Sequence, residues 1–262
     1  YDADGNLVLQ SGPGGSTTYS YDQLSRLTGV TNAQGDWVYT YDSLGSRVSS
    51  AFNGQRTDFV IDPSGLGDVV GEYAASGTRL AGNIHAFNLV AREDGAGTSR
   101  WFFDADLIGS IVGMTGSGGS EVNTYAYLPF GGVLTSTENV VNSFEYVGAY
   151  GVETLDNGLM FMRARHYSSA QGRFLSFDPI GLAGGDMNLY RYVGNRPCLF
   201  FDASGLALTD HGFVVGAEAF LVLGGEASIT FNFDGTVCGT VGMGPGFGVG
   251  IELGVVPRKQ SG

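Results

Sequence analysis

Basic residues are scarce in this chain of 262 residues: 13 Lys and Arg stand against 26 Asp and Glu, a formal net charge of −13. That balance argues against nucleic acid or an anionic membrane as the partner of the whole chain, and reads first as solubility. Cysteine is scarcer still. Cys198 and Cys238 exclude a disulfide framework and a multi-Cys zinc site, leaving one disulfide or, as their isolation favours, two separate thiols. Three histidines, His85, His166 and His211, share no ligand spacing such as HxxxH, so each reads as a turn or core residue and no metal centre is expected. No Gly run leads into the Lys of a phosphate-cradling loop and no GxSxG marks a nucleophile, so no cofactor is expected either. No uninterrupted apolar run reaches the roughly 20 residues of a membrane-spanning helix. The chain opens at Tyr1 with no basic segment ahead of an apolar stretch. It therefore reads as lacking a signal peptide of its own and as the C-terminal piece of something longer.

Glycine is what the chain has in excess, 44 against seven Pro, together with 43% hydrophobic and 12% aromatic residues. Many Gly with many Tyr and Phe point to short strands joined by tight turns, an all-β fold. Self-similarity supports this. "YDADGNLV", "YDQLSRLTGV" and "YDSLGSRVSS" begin at Tyr1, Tyr21 and Tyr41, twenty residues apart each time. Each unit reads as Tyr-Asp, a turn and an alternating strand. The Tyr ring serves as scaffold, and the Asp hydrogen-bonds backbone NH groups of the turn that follows. No unit buries its own face, so neighbours are expected to stack edge to edge, with Tyr21 and Tyr41 equivalent. From 52 to 150 the period blurs while strand-turn-strand units continue. A turn at 168–172 and a short helix ahead of Asn195 are expected in the segment that follows. After Leu206 the composition shifts to Gly, Val, Ala and Phe, with basic residues rare before Arg258 and Lys259. That tail reads as a separate module of strands over 214–223 and 227–233, an Asp234-Gly235 turn and one further strand. It suits a membrane-inserting hairpin or a small buried sheet.

The Tyr-Asp units resemble the YD repeats of the bacterial Rhs family, and 101–136 is similar to that family's HTDHLGS-type segment followed by YxYxPFG. Residues 158–197, "GLMFMRARHYSSAQGRFLSFDPIGLAGGDMNLYRYVGNRP", closely resemble the Rhs-associated core. The resemblance implies a strip of antiparallel hairpins (1–150) spiralling into a shell, a core plug (151–206) and a variable C-terminal segment (207–262) held inside as cargo. It also implies an upstream shell, toxin-delivery machinery and an immunity protein as partners, and a secreted or cell-surface location. A membrane role is weighed for 207–262 alone. A cell-surface adhesion protein without catalysis is the alternative.

Members of this family often cut themselves after a PxxxxDPxGL motif, which maps onto Pro197, Asp202, Gly205 and Leu206 and implies a cut between Leu206 and Ala207. The chemistry needs two carboxylates that share a proton, one acting on water and one on the carbonyl. Asp178 is one candidate and Asp156 the second. Two departures stand out: Ala203 replaces the usual Pro, and Phe177 stands where cleaving members often carry Arg. Arg173 is the cation the fold could bring in its place. The competing reading is that Asp178 and Asp202 only cap tight turns.

Overall fold

The computed structural model describes residues 1–64 and 66–206 in full and, within 207–262, the backbone of four strands. Thirteen strands, from β1 (Leu9–Gly12) to β13 (Val133–Glu138), form one antiparallel sheet in strictly sequential order. Among the described residues helix occurs only as three single turns, Gly148–Tyr150, Gly181–Gly184 and Val193–Asn195. The last of these stands where a short helix was expected.

The repeat is local chemistry. Asp2, Asp22 and Asp42 each turn Oδ1 onto the backbone NH groups two and four residues ahead, at 2.8–3.1 Å. These Asx turns satisfy donors that a bare turn would leave open. The Tyr hydroxyls span to the preceding repeat: Tyr21 donates to the Leu7 carbonyl at 3.1 Å and Tyr41 to that of Leu27 at 2.7 Å. The two tyrosines are equivalent, as the twenty-residue spacing predicts. Each is preceded by a register shift, between Ser20 and Tyr21 and between Thr40 and Tyr41, and such a bulge bends the strand and adds twist.

After residue 52 the spacing loosens, as the sequence suggests, but the unit itself persists. The same shift recurs before Ile61, His85, Ala105 and Tyr127. Asp106 caps its turn as Asp22 does, through the NH groups of Ile108 and Ser110. Tyr127 reaches back to the Ile111 carbonyl at 2.6 Å. The bulge is what persists: Asp follows it at Asp62 and Asp106, whereas Ala86 and Leu128 stand there after His85 and Tyr127.

One face of the strip is buried: Tyr19, Leu27, Val30, Trp37 and Tyr39 pack with Leu159 and Leu175 of the segment that follows. Each fully buried Leu or Val contributes about 1.5–3 kcal/mol. That segment builds a small antiparallel sheet of β14 (Glu153–Thr154), β15 (Leu159–Met162), β16 (Arg165–Ser168) and β17 (Arg173–Phe174). Every residue of β15 and β16 is buried. The turn expected at 168–172 separates β16 from β17.

The first repeat is also bound to this core. The Leu7 NH donates to the Leu175 carbonyl at 2.9 Å, the Tyr190 hydroxyl to the Gly5 carbonyl at 2.8 Å, and Gln171 to Gln10 at 2.8 Å. Removing residues 1–40 is therefore expected to uncover Leu159 and Leu175 and to leave β5 (Arg47–Phe52) as a bare edge. Size-exclusion chromatography should show the truncated chain aggregating. A monomer with unchanged melting would contradict edge-to-edge dependence.

In the tail, β18 (Gly212–Leu221), β19 (Gly225–Phe231), β20 (Val237–Met243) and β21 (Val249–Val256) pair antiparallel in the order β20-β19-β18-β21. The Asp234-Gly235 turn lies outside the described residues.

Candidate functional site

The hairpin β15–β16 carries "MFMRARHY", an apolar strand pair interrupted by two arginines. Arg165 opens β16 facing inward, with its side chain 2% exposed. Its guanidinium lies 3.6 Å from the centre of the Phe174 ring. Its Nη2 pairs with Asp178 Oδ2 at 2.9 Å and with Asp202 Oδ2 at 3.5 Å. Nη1 donates to the Leu189 carbonyl at 3.1 Å, and Nε donates to the Gly205 carbonyl. One cation thus gathers both DPxG-type turns and the chain end that leads to Leu206.

The two carboxylates differ in setting. Asp202 is fully buried, and its Oδ1 accepts the Ser204 hydroxyl at 2.9 Å and the Gly205 NH at 2.8 Å. Asp178 accepts the Ile180 NH at 3.0 Å and borders a cleft of about 300 Å³ shared with Leu24, Phe177 and Pro179. Burial pushes the Asp178 carboxyl above its ordinary value; Arg165 and the Ile180 NH oppose this, and the charge of Asp202 adds to it. Burial also lowers Arg165 below the usual guanidinium value, against the pull of both carboxylates. A carboxyl raised above its ordinary value by burial and by a second carboxylate is the kind of setting in which two carboxyl groups can share a proton.

The segment before the expected cut is held by backbone contacts. Gly205 has φ of +68°, and a Cβ there would lie 2.2 Å from the Met162 carbonyl oxygen, so only glycine fits. Leu206 donates its NH to Ser204 Oγ at 3.2 Å and edges a second cavity of about 400 Å³, lined also by Leu24, Leu44, Leu66 and Phe161. Ala203, in place of the usual Pro, is buried. Its carbonyl accepts Arg163 Nη1 at 2.7 Å, so hydrogen bonds supply the rigidity that a Pro ring would have given. Ala207 lies outside the described residues. Pro197 stands in the turn-rich stretch leading to Asp202 and touches neither carboxylate through any described hydrogen bond.

The remaining site expectations fare differently. Asp156 stands on the exposed turn between β14 and β15, beside Asn157, whose side chain donates to the Tyr39 hydroxyl at 2.7 Å. No described hydrogen bond or ion pair joins Asp156 to Asp178, whereas Arg165 brings Asp202 to it. Arg173 is spent elsewhere, with its guanidinium 4.2 Å from the Tyr190 ring centre. Phe177 packs against the Tyr190 ring with centroids 4.7 Å apart and fills the space beside Gly5. Position 177 is therefore a packing contact with the first repeat, and Arg165 supplies the cation from the neighbouring strand. Two signals for the true neighbours stood in the sequence: an Arg inside an apolar strand pair, and an Asp set between Phe201 and Ala203. Buried charges in apolar runs are rare unless paired.

Comparison with known proteins bears on the repeats and the fold. Residues 1–36 match the family model described as RHS repeat. The tRNA nuclease WapA of Bacillus subtilis (strain 168) is 30% identical over 215 residues, covering 78% of this chain and 9% of that protein. Toxin subunit YenC2 of Yersinia entomophaga is 33% identical over 113 residues, 42% of this chain and 11% of that protein. The chain thus spans about a tenth of the length of the curated relatives it matches. Among solved structures, the TcdB2-TccC3 crystal structure superposes with a TM-score of 0.59 at 20% identity, covering 76% of this chain and 11% of that one. The repeat match, together with similarity to named toxin subunits over an all-β strip of hairpins, leads to one assignment: the chain belongs to the Rhs/YD-repeat family.

Proposed function

We propose that this chain is the closing part of an Rhs-repeat shell that holds the segment from Ala207 onward and frees it by cutting its own Leu206–Ala207 bond. Asp178 and Asp202 are the acting pair. One observation carries the reading: two carboxylates from separate turns meet on a single guanidinium that also binds the carbonyl of Gly205, one residue before Leu206. Asp202 takes a proton from a water that adds to the Leu206 carbonyl carbon, while protonated Asp178 donates to the carbonyl oxygen. As the carbon–nitrogen bond breaks, Asp202 passes its proton to the nitrogen of Ala207 and Asp178 recovers a proton from a hydroxyl of the tetrahedral intermediate. Leu206 is left with a carboxyl group, Ala207 with a free amine, and both aspartates as they began. The enzyme acts once, on itself. The relatives named as a nuclease and as a toxin subunit support a toxic cargo in 207–262; export to the cell surface or beyond, delivery components and an immunity protein belong to the same proposal.

The test is the intact mass of the purified chain with time. Two fragments that part between Leu206 and Ala207 and stay associated are expected; a single uncut species would remove the protease and leave a container. The pH dependence has a definite sign. Asp178 must be protonated and its carboxyl is held above the ordinary value, so the rate should fall as pH rises through that raised value. Cleavage should be faster at about pH 5 than at about pH 8. The opposite slope would exclude Asp178 as the acid.

A further inference from the structure

Three consecutive residues, the two of the β15–β16 turn and the first of β16, hold three consecutive carbonyls of the segment that ends at Leu206. Arg163 Nη1 donates to Ala203 O at 2.7 Å, the Ala164 NH donates to Ser204 O at 3.1 Å, and Arg165 Nε donates to Gly205 O. Arg163 differs from the other two in what else it touches. Its Nε donates to the Leu66 carbonyl at 2.7 Å, and its Nη2 to Asp68 Oδ1 at 2.9 Å and to the Tyr150 carbonyl at 2.8 Å. Leu66 lies in the turn before β7 (Asp68–Ala74) and Asp68 opens that strand, so both belong to the repeat strip. The guanidinium therefore joins strip, core and cleavage segment with every nitrogen engaged. Its backbone supports the same conclusion, since Arg163 sits at φ of +50°, a left-handed conformation uncommon for a residue with a Cβ. Gly151 leaves the room it needs: a Cβ there would lie 2.5 Å from Arg163 Nη2 and 2.8 Å from Asp68 Oδ1.

We infer that Arg163 is a positioning residue that makes self-cleavage conditional on docking of the strip onto the core. The inference rests on the cleavage reading above and adds a checkpoint to it. The Ala203 carbonyl is fixed only when Leu66 and Asp68 have arrived to orient the guanidinium. An undocked strip leaves Arg163 free to rotate, and the bond after Leu206 moves away from Asp178 and Asp202. Misplacement of a scissile bond by about 1 Å costs about 100-fold in rate. The cut would then follow closure of the wall around the cargo and not precede it.

The experiment follows the full chain after pulse-labelling in cell-free translation, with cleavage read on gels during the chase. Arg163→Ala should slow the cut about 100-fold, and Asp68→Asn, which touches only the strip side of the clamp, about tenfold. Guanidinium ion well below denaturing concentration should restore part of the rate to Arg163→Ala and none to Asp178→Asn. Arg92→Met is the control for stability alone. It breaks a partly buried pair within the strip, Arg92 with Glu72, and should lower melting while leaving the cut at the wild-type rate. The checkpoint is overturned if folded Arg163→Ala or Asp68→Asn cleaves as wild type, or if Arg92→Met slows the cut as much as they do. A wild-type chain that stays whole would instead overturn the protease itself, and the checkpoint with it.

Discussion

Asp202→Asn is expected to leave the chain whole and folded. Asparagine keeps an oxygen where Asp202 Oδ1 accepts the Ser204 hydroxyl and the Gly205 NH, so the turn before Leu206 survives. What it loses is the capacity to take a proton from water. Losing one acid–base group costs about 10²–10⁴-fold in rate, so a cut complete in wild type should be undetectable in the variant by intact mass. Asp178→Asn should behave alike. The double variant should be no worse than either single one, because the two groups act as a unit. Melting should stay within a few degrees of wild type, since Arg165 keeps one carboxylate in each single variant. A variant at Asp202 that still cuts at the wild-type rate would reduce both aspartates to turn caps.

The largest effect on stability is expected at Arg47. It lies in β5 (Arg47–Phe52), 2% exposed, with Nη2 at 2.6 Å from Glu153 Oε2 of β14. The rings of Phe161 and Phe59 have their centres 4.5 and 5.0 Å from its guanidinium. Arg47→Met would fill similar volume but strand the Glu153 carboxylate in the interior. Breaking one side of such a pair costs about 3–5 kcal/mol, which for a chain of this size lowers the melting temperature by about 10 °C. Replacing both partners, Arg47→Met with Glu153→Met, should recover most of that loss. The pH dependence of the single variant separates this account from a simple packing defect. Burial holds the Glu153 carboxyl above its ordinary value even with Arg47 present. A group raised in the folded state contributes stability that is full below its unfolded value and is lost as pH rises through the folded one. The Arg47→Met chain should therefore regain stability as pH falls, and the double variant should not. Equal melting of single and double variants would contradict the account.

Much of the fold was legible because its causes are local. A Tyr-Asp pair every twenty residues encodes an Asx turn, a bulge and a reach to the preceding strand, and all three involve residues within about one hairpin of each other. Those contacts recur at Asp2, Asp22 and Asp42 as the spacing requires. Asp106 was hidden only because Ala105 stands where Tyr was the visible marker, although its turn obeys the same chemistry.

The site was half legible, and the missing half is physical. The motif pointed to Asp178 and to the stretch from Asp202 to Leu206, because a DPxG turn can be read from neighbours in the chain. No local rule could choose between Asp156 and Asp202 as the partner of Asp178, since that choice depends on which turn a buried cation reaches. Arg165 decides it across 13 residues on one side and 37 on the other. Arg163, bound to Asp68 at a separation of 95, and Arg47, bound to Glu153 at 106, were equally silent. The sequence alone determined that hairpins form and where the Tyr-Asp repeats turn, for these follow from alternation and turn chemistry along the chain. Only the tertiary structure decided which charges meet, because a guanidinium buried between strip and core must find carboxylates and carbonyls wherever packing delivers them, and packing is a property of the whole chain.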